Sequence, residues 1–119
     1  MTLREMELKD TVEMMKSSDY KERFFAEYWQ TKIRYEKLKK FNIKIEAAEK
    51  TQFEKNQIEM PKHDCPLRIL REQQNVMEQY LHLLELRAEI EGIDLDKRYE
   101  LEVTDWCGAN VSNITIKPF

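Results

Sequence analysis

The sequence predicts a mostly helical α+β fold: an N-terminal helix, a long antiparallel helical hairpin and a C-terminal β-hairpin, in one domain of 119 residues. Three observations predict it. Only 2 Gly and 3 Pro punctuate the chain, too few turn formers for an all-β sandwich or a glycine-rich phosphate loop. Apolar residues recur at helical seam spacing through the middle, and after Gly92 the period changes from helical to two.

The N-terminal helix is expected over 1–16. Thr2 and Glu5 form a capping box, in which hydroxyl and carboxylate each satisfy a free backbone donor, and Leu8, Val12 and Met15 share a face. Ser17 and Ser18 break this helix, and Asp19 with Glu22 repeats the capping pattern. The hairpin occupies 19–92. Its first helix carries Phe24, Tyr28, Thr31, Tyr35, Leu38, Asn42 and Ile45 at 4-3-4-3-4-3 spacing, the seam of a helix packed lengthwise on another. Phe25, Trp29 and Ile33 form a second apolar row beside it.

From about Thr51 the periodicity is lost, and Met60-Pro61-Lys62-His63-Asp64 reads as the connection. Pro66 fits the first turn of the next helix, where its missing N–H has no partner to lose. That helix should end at Glu91 before Gly92. Ile69, Val76, Leu83 and Ile90 repeat every seven residues, and Leu70, Met77 and Leu84 form a parallel row joined by Tyr80 and Leu81. One hairpin partner cannot cover both rows, so the pattern predicts a homo-oligomer. The alternative is that the N-terminal helix and the C-terminal segment cover the second face within one chain. Tyr99, Leu101 and Val103, then Ile114 and Ile116, alternate with polar residues and predict a β-hairpin over 97–118. Two strands alone are marginal in water and must dock or pair.

Charge excludes some functions. With 20 Lys and Arg against 23 Asp and Glu the net is −3, which does not suit a groove-binding nucleic-acid protein, so no nucleic-acid polymer is expected as a partner. The N-terminus has neither a signal-peptide core nor an apolar run long enough for a membrane span, so a cytoplasmic protein with reduced Cys65 and Cys107 and no membrane partner is expected. His63, Cys65, His82 and Cys107 lack the paired spacing of a zinc site, so no metal is expected. Cys107 has no base near it in sequence, and the carboxylates, as in Glu36 with Lys40, fit solvated helix faces, so no catalytic residues and no enzyme are expected. A small-molecule pocket is the remaining possibility: Trp106, Gly108, Ala109 and Asn110 offer an aromatic plane, close backbone approach and an amide, and Ser112, Asn113 and Thr115 follow with short hydrogen-bonding side chains. An ordinary hairpin turn with a packed Trp explains the same residues.

Two segments carry a family resemblance: DYKERFFAEYWQTKIRYEKLKKF from Asp19 to Phe41 and DCPLRILREQQNVMEQYLHLLELRAEIEGI from Asp64 to Ile93, 53 of 119 residues. Cys65-Pro66, the run from Gln73 through Met77 to Tyr80, and Arg87 leading to Ile90-Glu91-Gly92 are the most specific parts. The chain resembles the helical-hairpin family of phage and prophage proteins that includes the Thoeris anti-defence and anti-CBASS cyclic-nucleotide sponges, and its C-terminal segment looks like the Thoeris branch. That resemblance implies a protein that binds an immune signal, glycocyclic ADP-ribose and in some members a cyclic di- or trinucleotide, and holds it intact in the cytoplasm of the infected bacterium. It implies dimers grouped into hexamers, and no cofactor. On it, Trp106 is expected to stack a base, Arg23 or Arg34 to take the diphosphate, Asn110, Ser112, Asn113 and Thr115 the sugars, and Arg68 a threefold pocket for a cyclic trinucleotide. The segment from Asn42 to Met60 is longer than in typical hairpin members. The rival is a prophage adaptor or structural protein that binds a protein partner and no nucleotide.

Overall fold

The computed structural model describes residues 6–96. Its elements are a 3-10 turn at Leu8–Thr11, α1 at Val12–Met15, α2 at Tyr20–Lys50 and α3 at Leu67–Glu91. Every regular element among the described residues is a helix, which corrects the α+β expectation to a helical fold with the hairpin helices in place. The stretch 97–118, expected to form a β-hairpin, lies outside the described residues.

The N-terminal element also differs from expectation. Thr2 and Glu5 lie outside the described residues, and the capping box is formed instead by Glu7 and Asp10: the Glu7 N–H donates to the Asp10 carboxylate at 2.8 Å, and the Glu7 side chain accepts the Asp10 N–H. A carboxylate at each end of one turn satisfies both free donors. The Thr11 hydroxyl donates to the Leu8 carbonyl at 2.7 Å and is fully buried. Competition of that kind with backbone bonding suits a tight 3-10 turn better than a long helix, and α1 then runs for only four residues.

α2 begins where Asp19 predicts. The Ser17 hydroxyl accepts the Asp19 N–H, and the Asp19 carboxylate accepts the Lys21 N–H at 3.0 Å. Its 31 residues extend for about 46 Å. Pro66 precedes α3 and its carbonyl accepts the N–H groups of Ile69 and Leu70. α3 stops at Gly92, whose φ of 72° is the left-handed conformation that ends helices and that only glycine adopts freely.

The helices divide into two compact units: residues 1–30 with 83–119, and residues 31–82. In the first, Phe24, Phe25, Ala26 and Tyr28 of α2 are buried with Leu84 and Ala88 of α3. The Tyr28 hydroxyl donates to Glu85 at 2.8 Å, and the Trp29 indole donates to the Leu95 carbonyl at 2.7 Å, so the chain after Gly92 turns back against α2. Phe25 of the second apolar row is therefore covered within the chain. In the second unit, Tyr35, Asn42, Ile45 and Ala48 of α2 are buried with Leu81 of α3. Asn42 donates to the Leu70 carbonyl and to Gln74, and Arg71 bonds Glu46, which sets the antiparallel register.

The outer row of α3 behaves differently. Val76, Leu83 and Ile90 are 62%, 56% and 82% exposed, while Leu84 of the parallel row is 1% exposed. As the spacing predicted, one partner helix covers one row only.

Candidate functional site

The cations of this chain are unevenly placed. From Thr31 to Lys44 there are six, Lys32, Arg34, Lys37, Lys39, Lys40 and Lys44, against the single acid Glu36, a net of +5. Residues 31–82 hold eleven cations and eight acids, and the remainder of the chain holds nine and fifteen. The overall −3 thus hides a basic unit of +3 and an acidic one of −6.

Three cations of the basic unit are engaged in ion pairs. Arg71 pairs with Glu46, Lys50 reaches the same carboxylate at 4.0 Å, and Lys32 pairs with Glu36 at 3.5 Å. Glu36 therefore turns to Lys32, not to Lys40 as its spacing had suggested. Lys39 lies 6.0 Å from the centre of the Tyr35 ring. Arg34, Lys37, Lys40 and Lys44 have no acidic partner among the described residues, and all four are exposed. Phe41, half-buried on the same helix, meets His63 edge to face with ring centres 6.1 Å apart. The Nδ1–H of His63 donates to the Pro61 carbonyl at 2.7 Å, which holds the ring against Phe41 and leaves Nε2 free.

A second polar cluster lies in the other unit. Arg87 donates to the Tyr20 hydroxyl at 2.6 Å and to Glu91 at 3.3 Å, Tyr20 donates to Glu91 at 2.9 Å, and the guanidinium lies 4.9 Å over the Phe24 ring. The hydrogen bond to the Glu91 carboxylate, helped by desolvation, holds the Tyr20 phenol above its ordinary value near 10.0 although Arg87 pulls the other way. Desolvation lowers Arg87, but attraction to Tyr20 and Glu91 outweighs it and leaves the guanidinium more basic than usual. Arg87 is thus engaged through Nε and one Nη with partners of its own chain. Beside it, an open depression of about 380 Å³ is lined by Glu85, Glu89, Asp94 and Asp96, a wall that repels an anion.

The expected site residues fall in three places. Arg23 donates to the Ser17 carbonyl at 2.8 Å and ties the turn after α1 to α2. Arg34 and Arg68 belong to the basic unit, both exposed and without an ion pair among the described residues. The Asn42–Leu70 and Glu46–Arg71 contacts put them at opposite ends of that unit, about 20 Å apart at 1.5 Å per residue, so the two do not share one site in a protomer. Trp106, Gly108, Ala109, Asn110, Ser112, Asn113 and Thr115 lie outside the described residues, as does Cys107. Cys65 is a free thiol, and no cluster of three potential metal ligands occurs among the described residues. No helix among them is long and apolar enough to cross a membrane.

Sequence reasoning did not single out Tyr20 and Glu91, which are 71 positions apart and share no local pattern. Nor did it single out the cationic run from Thr31 to Lys44, although charge counted in a sliding window reveals it.

No curated protein and no solved structure matches this chain. A family model described as Sequestin matches residues 18–90, which span α2, the connection and α3. The name of that family fits a sequestering, binding function of the kind the hairpin resemblance implies. Since the matched stretch covers more than half of the 119 residues, the chain belongs to the Sequestin family.

Proposed function

We propose that this protein is a non-catalytic binding protein of phage or prophage origin that sequesters a cyclic nucleotide immune signal of the glycocyclic ADP-ribose type. By holding the signal intact it keeps the effector of a bacterial Thoeris or CBASS defence inactive. The observation that carries this reading is the Sequestin match over residues 18–90, which takes in both segments of the hairpin resemblance except residues 91–93. Sequestration needs no chemistry, only excess and affinity: with binding sites about a hundredfold above Kd, roughly one per cent of the signal stays free. Self-association completes the apolar cover of α3, where Val76 and Ile90 stand out in water.

The same exposed residues favour a second reading, an adaptor that binds a protein partner through α3 and no nucleotide. Calorimetric titration with glycocyclic ADP-ribose, followed by heat denaturation and chromatography of the released ligand, separates the readings. Sequestration gives heat on mixing and unaltered ligand on recovery. Altered ligand identifies an enzyme, and absence of heat leaves the adaptor.

A further inference from the structure

We infer that the face of α2 centred on Phe41 is a nucleotide-binding face, in which Arg34, Lys37, Lys40 and Lys44 hold phosphate and the Phe41–His63 pair receives the base. The inference rests on the reading of the protein as a sequestering nucleotide binder and names where the ligand sits.

Three steps lead to it. At about 100° per residue, Arg34, Lys37 and Lys44 lie within about 60° of Phe41 around the helix, and Lys40 within about 100°. The two acids between Ile33 and Ala48, Glu36 and Glu46, lie about 140° away on either side, and each is paired with another cation. This stretch of α2 therefore presents cations uncompensated by acids, over about 15 Å from Arg34 to Lys44. Lys62 and Asp64, which flank His63, cancel each other.

Three of the other arginines are committed, and Arg68, unpaired among the described residues, lies about 20 Å from Arg34 at the other end of the unit. Arg23 serves the Ser17 carbonyl, Arg71 serves Glu46, Arg87 serves Glu91 and Tyr20, and the depression near Asp94 is lined by carboxylates. A diphosphate gains charge-assisted hydrogen bonds only from donors not already committed. Arg34 and its neighbours are such donors.

Finally, cations alone would make a nonspecific counter-charge, but this face also holds two rings. Phe41 has Lys37 one turn before it and Lys44 one turn after, and His63 is pinned beside it through Nδ1 with Nε2 unused. A ring face with an adjacent unused hydrogen-bonding nitrogen suits a nucleobase whose phosphates lie one helical turn away.

The test uses the full chain and two probes, glycocyclic ADP-ribose and linear ADP-ribose, titrated calorimetrically at two salt concentrations. The variants are Lys37→Glu/Lys44→Glu and, as a control on another side of α2, Lys39→Glu. Binding of the cyclic probe that falls tenfold or more in the double variant, with circular dichroism unchanged and Lys39→Glu near wild type, supports the face. Binding that is equal in wild type and double variant overturns the face and leaves the sequestration reading standing. Binding of linear ADP-ribose alone, lost in the double variant, keeps the face and overturns the reading. No binding of either probe by the wild type overturns both.

Discussion

Replacing Asn42 by leucine should stabilise the protein. Asn42 is 3% exposed and its amide donates to the Leu70 carbonyl at 3.2 Å and to Gln74 Oε1 at 2.8 Å, while its Oδ1 has no partner among the described residues. Turning the amide over would set Oδ1 against the Leu70 carbonyl, so the orientation is fixed. Two neutral hydrogen bonds are worth about 1–3 kcal/mol net, and an unsatisfied buried acceptor costs about 1–3, so the polar balance of this side chain is close to zero. Leucine removes both contributions and adds apolar burial of about 1.5–3 kcal/mol, less about 1 for imperfect fit of the branched side chain. The groups left behind lose little: the Leu70 carbonyl lies inside α3, where it accepts its helical bond, and half-buried Gln74 can turn to water. The expected gain is about 0.5–2 kcal/mol, a rise in Tm of about 2–8 °C. Thermal and urea unfolding followed by circular dichroism measures it, at several protein concentrations because association links stability to concentration. A loss of about 1 kcal/mol or more, in a variant with the wild-type spectrum, would refute the assignment of an unpaired Oδ1 and mean that the Asn42 contacts carry net stability.

Four further outcomes follow from the same structure. Leu84→Ala, at a position 1% exposed between α2 and α3, should lower stability by about 2–5 kcal/mol in urea unfolding, and a cost under about 1 would show that the helices do not close there. Phe53→Ser, in the connection at 92% exposure, should change stability by less than about 0.5 kcal/mol in the same assay. Glu91→Gln should return the Tyr20 phenol toward its ordinary value near 10.0, read as the ultraviolet difference between each protein and its Tyr20→Phe counterpart. Because the folded value is raised, the wild-type contribution is present below pH 10 and is lost as pH rises through the folded value; Glu91→Gln should flatten that alkaline loss. Val76→Ser with Ile90→Ser should lower the solution mass measured by light scattering while circular dichroism stays unchanged, whereas an unchanged assembly would remove this row from the interface.

Much of the hairpin was legible because its signals are local. The seam residues Phe24, Tyr28, Tyr35 and Ile45 are all buried, Asp19 opens α2, and Gly92 closes α3 in the left-handed conformation only glycine reaches freely. The unequal fate of the two α3 rows was legible for the same reason, since a period of seven names the faces even when it does not name what covers them. The start of the chain was not. A capping box is a short pattern, and the carboxylates of Glu7 and Asp10 supply one five residues past the Thr2 hydroxyl. For the site, Arg34 and Arg68 were found exposed and unpaired, but Arg23 turned out to serve a backbone carbonyl, because whether an arginine is free depends on partners that spacing does not reveal. The Tyr20–Arg87–Glu91 cluster illustrates the same limit from the other side: it exists only once two distant ends of the hairpin meet.

The two units differ in how the chain builds them. Residues 31–82 are one uninterrupted stretch, whose ends are joined by closing a single connection, whereas the other unit is built from 1–30 and 83–119 and cannot gather until the chain has travelled out and back. Loop closure comes before the long-range contacts that reward it, so the continuous unit can pack first. During synthesis, Phe24, Phe25 and Tyr28 emerge long before Leu84 and Ala88 exist to cover them. The aromatic start of α2 is thus the part of the newborn chain most in need of protection, and the part whose burial marks its completion.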